Sequence, residues 1–172
     1  MKTLLLVRHA KSSWDDFSLP DFDRPLNERG KHDAPMMAKR LLNKGVKLDL
    51  LVSSPAKRAK RTAQAFAEVL GKDKEEILYN EELYMASAEQ FFSVISRLDN
   101  SFNNIAIFSH NPGITSFANL LQVASIDEMP TCSILAISTP AQSWFDFRQS
   151  EKKFSFFDYP KNPNSPQSHK AE

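Results

Sequence analysis

Cysteine is almost absent from this chain of 172 residues, with Cys132 the only one. An internal disulfide framework is therefore impossible, which fits a reducing compartment and leads us to expect a cytoplasmic protein. Histidine is scarce too. His9, His32, His110 and His169 are the four, and neither they nor Cys132 fall at zinc-ligand spacing, so no metal or other cofactor is expected. An excess of either charge is missing: the net charge is +1, which gives no global field for nucleic acid or an acidic membrane. No apolar run approaches the roughly 18 residues of a spanning helix, and the four-residue run near the start is too short for a signal peptide's apolar core. No internal repeat and no interdomain linker is visible.

What is present is ordinary in bulk, with 41% hydrophobic and 25% charged residues. One domain is the natural expectation, large enough to hold a core without staples. We place it at residues 1–158. From Tyr159 on, Pro160, Pro163 and Pro166 lie among Asn, Ser, Gln and Lys, so 159–172 reads as a disordered tail, and His169 within it is assigned nothing.

The chain is organised around Leu4-Leu5-Leu6-Val7-Arg8-His9-Ala10. Four consecutive apolar residues match a buried strand. Arg8 and His9 then arrive where it ends, and ligands of open α/β sheets bind beyond the carboxyl ends of strands. The segment from Lys11 to Pro25 is a long loop. Its Trp14, Phe17 and Phe22 need something to pack on, so an ordered loop at the rim of a site is expected. Asn27 caps a helix running to about Lys44, with Gly45 as its stop. Leu48 to Val52 is a strand. Ser54-Pro55 reads as an N-cap and first-turn proline for a helix to about Leu70. Arg58, in that first turn, leans back toward the strand ends. Lys57, Lys60 and Arg61 around it read as a solvated basic face. Ile77 to Tyr79 is a short strand, and Ser87-Ala88-Glu89-Gln90 is a capping box opening a helix to about Leu98. Asn104 to Ser109 is a buried strand ending at His110. Asn111-Pro112-Gly113 then opens a helix through roughly Gln122. Ser133–Ser138, Ser143–Phe147 and Phe154–Phe157 read as further strands.

Three β-to-α junctions thus carry Arg8-His9, Arg58 and His110. Strands alternating with helices imply parallel pairing, and junctions at one sheet edge converge in space. Two guanidiniums and two imidazoles near helix N-termini suit a dianionic phosphoryl group, because the planar arginine fork makes paired charge-assisted bonds to phosphate oxygens.

Leu6-Val7-Arg8-His9-Ala10, Ser53-Ser54-Pro55 through Arg58 with Thr62-Ala63, and Ser109-His110-Asn111-Pro112 resemble the three signature segments of the histidine phosphatase superfamily. Asp23-Arg24-Pro25-Leu26 followed by Glu28-Arg29-Gly30 resembles its small SixA-type phosphohistidine phosphatase branch. The resemblance implies a three-layer α/β/α sandwich with a mostly parallel central sheet, as in phosphoglycerate mutases. It implies a metal-independent phosphatase in which His9 is the nucleophile and His110 a second catalytic group. Arg8, Arg58 and His110 would bind the phosphoryl oxygens. It also implies a glutamate general acid in the loop after the short strand, where Glu82 is favoured, with Glu81 or water as alternatives. Two positions depart from the wider family. Ala10 replaces its usual glycine, and Asp15 stands near an asparagine that contacts phosphate in mutase-like members; an aspartate would repel a dianion. The leading expectation is a phosphatase for phosphohistidine in proteins. A phosphomonoesterase for a small metabolite and a non-catalytic phosphate-binding module are the alternatives. Neither nucleic acid nor membrane is an expected partner.

Overall fold

The computed structural model describes residues 1–165. Its centre is a six-stranded sheet in the order β3-β2-β4-β1-β5-β6. The strands are β1 (Lys2–Arg8), β2 (Leu50–Ser53), β3 (Leu78–Tyr79), β4 (Asn104–Ser109), β5 (Ile134–Thr139) and β6 (Lys153–Asp158). β1 pairs in parallel with β4, and β2 in parallel with both β4 and β3. β5 runs antiparallel to β1, and β6 antiparallel to β5. The mostly parallel sheet expected from the alternating pattern is therefore present, with an antiparallel pair added on one side.

Four helices cover the sheet: α1 (Glu28–Asn43), α2 (Lys57–Val69), α3 (Ala88–Ser96) and α4 (Gly113–Leu120). Leu4 and Leu6 join a core with Phe91, Ile95, Ile114 and Phe117 of α3 and α4. Leu5 and Val7 join a second core with Met37, Leu41, Ala63 and Phe66 of α1 and α2. A strand apolar on both faces is what a continuous run of four large residues encodes, and Leu4 to Val7 are completely buried. Three layers result.

The helix boundaries show where local sequence decides. The Asn27 side chain accepts from Gly30 N, and Ser87 and Gln90 form the reciprocal capping box. Ser54 does not cap α2. Ala56 holds that position, and α2 starts at Lys57. Nor does the Asn111 side chain cap α4, which begins at Gly113 after a cis Asn111–Pro112 bond.

Ser143–Phe147 is not a strand. Trp144–Asp146 form a 3-10 turn capped by the Ser143 side chain. Residues i and i+3 of such a turn eclipse, which places Trp144 and Phe147 together in the core. The residues after Asp158 bond back to α1 and to the end of β6. Buried Arg40 donates to the Tyr159 and Pro160 carbonyls at 2.9 and 3.1 Å, and pairs with Asp158 at 3.4 Å. Asp158 in turn accepts from Asn162 Nδ2 and Ser165 Oγ, both at 2.9 Å. The remainder of the expected tail, with His169, lies outside the described residues.

Candidate active site

The carboxyl end of β1 is locked before any side chain is considered. Arg8 N donates to Ser133 O, His9 N to Ser109 O at 3.1 Å, and Cys132 N to His9 O at 3.0 Å. Ala10 N donates to Thr62 Oγ1 at 2.9 Å, and Thr62 Oγ1 donates to Arg58 O at 2.8 Å. One threonine of α2 therefore ties the residue after His9 to the turn that carries Arg58.

The side chains converge. His9 Nδ1 donates to the Ala10 carbonyl at 2.7 Å. That bond leaves the Nε2 lone pair free, and Arg58 Nε donates toward it at 3.3 Å. The His9 and His110 ring centroids lie 5.0 Å apart. His110 Nε2 and Ser54 Oγ are hydrogen-bonded at 2.7 Å, so the serine expected as a helix cap instead orients an imidazole. Arg8 Nη1 donates to Met129 O at 2.8 Å and stands 3.7 Å from Glu128. Arg8 Nε and His110 Nδ1 are buried without a partner among the described residues. Buried polar atoms left unpaired cost about 1–3 kcal/mol each.

Burial, above all, pushes His9 well below the usual histidine range, and His110, Arg58 and Arg8 add to the effect while the Ala10 carbonyl opposes it. Burial and then Arg58 lower His110 to about 3, against the pull of Asp21. Both imidazoles are neutral near pH 7. Arg8 is also lowered, by burial first and by Arg58, with Glu128 opposing.

A cleft of about 780 Å³ opens here, lined among others by Arg8, His9, Arg58, His110, Asp21 and Tyr84. Arg8, His9, Arg58 and His110 are thus brought together as the sequence suggested. Glu82 is not among them. The turn Glu81–Leu83 is capped by Asn80, buries Leu83, and leaves Glu82 paired with Arg97 beyond α3. Neither Glu82 nor Glu81 lines the cleft, and the exposed Asp15 does not either. Among the described residues the carboxylate that does is Asp21, which lies outside the recognisable motifs. Its Oδ2 accepts from Arg58 Nη2 at 3.0 Å and from the Tyr84 hydroxyl at 2.7 Å, and its carbonyl accepts from Arg58 Nη1 at 2.7 Å. Arg24 Nη2 bonds Oδ1 at 3.1 Å. Burial would raise the Asp21 carboxyl, but the Tyr84 hydroxyl, Arg58 and Arg24 outweigh it and hold it at about 2. Burial and then Asp21 raise Tyr84. The visible sequence signal for Asp21 was its spacing of three from Arg24.

The family model of the histidine phosphatase superfamily (branch 1) matches residues 4–84. An uncharacterized chloroplastic protein of Arabidopsis thaliana is 33% identical over 151 residues, which are 83% of this chain and 69% of that one. A 2,3-bisphosphoglycerate-dependent phosphoglycerate mutase of Bartonella tribocorum is 35% identical over 79 residues, 45% of this chain but only 38% of the mutase. Among solved structures, that of the protein assigned as phosphohistidine phosphatase SixA from Agrobacterium tumefaciens superposes with a TM-score of 0.76 at 26% identity. That superposition covers 92% of this chain and 98% of the other.

Proposed function

This chain belongs to the histidine phosphatase superfamily and is a phosphatase by type; from that premise we propose that it removes phosphate from phosphohistidine in proteins. The neutral His9 Nε2 attacks phosphorus in line while the bond to the leaving group breaks. The bonding pair goes to that group, and the phosphoryl group is carried on His9. Water then attacks phosphorus, the P–N bond to His9 breaks, and phosphate and the free imidazole are released. Arg8, Arg58 and His110 hold the non-bridging oxygens and offset charge in a loose transition state.

The observation that carries the choice of substrate is the state of Asp21, the one carboxylate lining the cleft among the described residues. Asp21, held at about 2, is an anion at neutral pH and a poor proton donor, and Tyr84 is raised rather than lowered. An alkoxide leaving group needs a proton in the transition state. An imidazole accepts one readily near neutral pH, so a P–N bond fits a cleft furnished in this way. The similarity over nearly the whole chain to a protein assigned as a phosphohistidine phosphatase supports the same reading.

A small-metabolite phosphomonoesterase is the second reading, favoured by a cleft volume within the range of small-ligand sites and by the partial match to a phosphoglycerate mutase. Turnover of a phosphohistidine peptide against alkyl phosphate esters separates the two. We expect kcat/KM to favour the peptide; equal or better alkyl rates would replace the first reading by the second. Rapid quenching followed by mass spectrometry should locate phosphate on His9. An aryl phosphatase activity that survives His9→Ala would refute the covalent route. No hydrolysis of the phosphohistidine peptide or of any ester would leave a phosphate-binding module.

A further inference from the structure

The loop between β1 and α1 leaves bare the side chains expected to be packed. Every residue from Trp14 to Asp23 is exposed. Phe17 is 88% exposed and Trp14 59%, and Met85, in the loop after β3, is 79% exposed. Met85 stands at a positive φ of 58°, an unusual backbone for a non-glycine residue.

These residues form one surface with the mouth of the cleft. Trp14 and Met85 line it. Phe22 meets Tyr84 edge-on at 5.2 Å, Tyr84 holds Asp21, and the Arg24 guanidinium lies 3.6 Å over Trp14. Leu19 and Phe17, in the same loop between Trp14 and Phe22, are exposed as well and are not part of the cleft lining. A small ester seated on His9 has no use for them. Several large apolar side chains left exposed on one loop beside a site point to a place where another macromolecule sits.

Charge says what kind. Between Trp14 and Asp23 stand Asp15, Asp16, Asp21 and Asp23, with no Lys, Arg or His. Arg58 and Arg24 neutralise Asp21. Asp15, Asp16 and Asp23 have no ion pair among the described residues. Glu128, beside Arg8 and with its side chain 73% exposed, adds a further carboxylate. Lys11 adds a positive charge to the cleft lining. A cationic cup is thus bordered by an apolar, anionic rim. We propose that this rim is a docking surface for a phosphorylated protein segment whose phosphoryl group is flanked by basic and apolar side chains, an inference that rests on the phosphatase reading of the cleft. The same rim repels small esters that carry additional negative charges.

Trp14 supplies the readout, because Trp144, the other tryptophan, is fully buried. Two unphosphorylated peptides of equal length, each with one histidine, are titrated against the full chain while tryptophan emission is followed. One is flanked by Lys, Arg and Leu, the other by Glu and Ser. Their phosphohistidine forms then serve as substrates beside p-nitrophenyl phosphate. The basic-apolar peptide should change the emission saturably and the acidic one should not. The triple variant Asp15→Asn, Asp16→Asn, Phe17→Ser should weaken that binding and raise KM for the phosphorylated peptide by about tenfold, with kcat and aryl phosphate hydrolysis unchanged. Equal binding of the two peptides, or binding indifferent to the triple variant, overturns the docking surface and leaves the phosphatase reading intact. Self-association of the chain that the triple variant abolishes assigns the face to a second copy and overturns it as well. Selective binding without hydrolysis of either phosphopeptide supports the surface and sinks the catalytic reading instead.

Discussion

Lowering the pH from 7.5 to 5 should destabilise this protein through its two site histidines. The direction follows from where the protons go. His110 titrates at about 3 in the folded chain, and His9 is also held well below the ordinary value. The unfolded chain titrates its histidines near 6.5. Below that pH the unfolded state takes up protons that the native site refuses. The stability these groups contribute is therefore complete above about 6.5 and is lost as pH falls toward the folded value. For one histidine the slope is about 1.4 kcal/mol per pH unit, so His110 alone forfeits about 2 kcal/mol by pH 5. His9 adds a loss of the same sign. Asp21, held at about 2, is ionised in both states across this window and contributes nothing to the change. Urea denaturation at the two pH values is the assay, in buffer free of phosphate, which would bind and stabilise the native site. His110→Gln should remove its share of the dependence, and His9→Asn with His110→Gln most of the rest. Equal stability at the two pH values would refute the reasoning, as would an unchanged pH dependence in the double variant.

Arg58→Lys should cut aryl phosphate kcat/KM by about 10²–10³, because an ammonium cannot serve the Nε and Nη2 edge together; steady-state kinetics with a retained melting temperature checks it. Glu82→Gln should leave phosphohistidine hydrolysis unchanged, since that carboxylate is engaged with Arg97 outside the cleft; a large fall in kcat would reinstate it as the proton donor. Gly113→Ala should lower stability by about 1–3 kcal/mol in chemical denaturation, because an added Cβ would overlap the Ala86 carbonyl oxygen. Arg40→Leu should cost about 3–5 kcal/mol by leaving the Asp158 carboxylate buried without its partner.

Much of the architecture was legible in the sequence because local and global demands coincide there. Leu4 to Val7 is apolar throughout because both faces of β1 are covered, and Asn27 and Ser87 make the capping bonds that their positions advertise. Arg8, His9, Arg58 and His110 were visible because each marks the end of a strand or the start of a helix. What escaped depends on partners distant in the chain. Beyond its neighbour Arg24, Asp21 is held by Arg58 and Tyr84, and Ser54 bonds His110 across the fold. Trp144, Phe145 and Phe147 look like strand residues, and only the Ser143 cap and the eclipsed 3-10 geometry show otherwise. Glu82 lies off the cleft lining, and chain position does not reveal which way a capped turn aims its carboxylate.

His9 follows directly on a strand with neighbours on both sides, its own amide and carbonyl hydrogen-bonded across to residues 109 and 132. Amides in such a position are among the last to exchange with solvent, since opening them requires the whole molecule to come apart. Turnover should accordingly vanish in step with global melting. Heating would yield no partly active species, and a thermal inactivation curve would superimpose on the loss of circular dichroism.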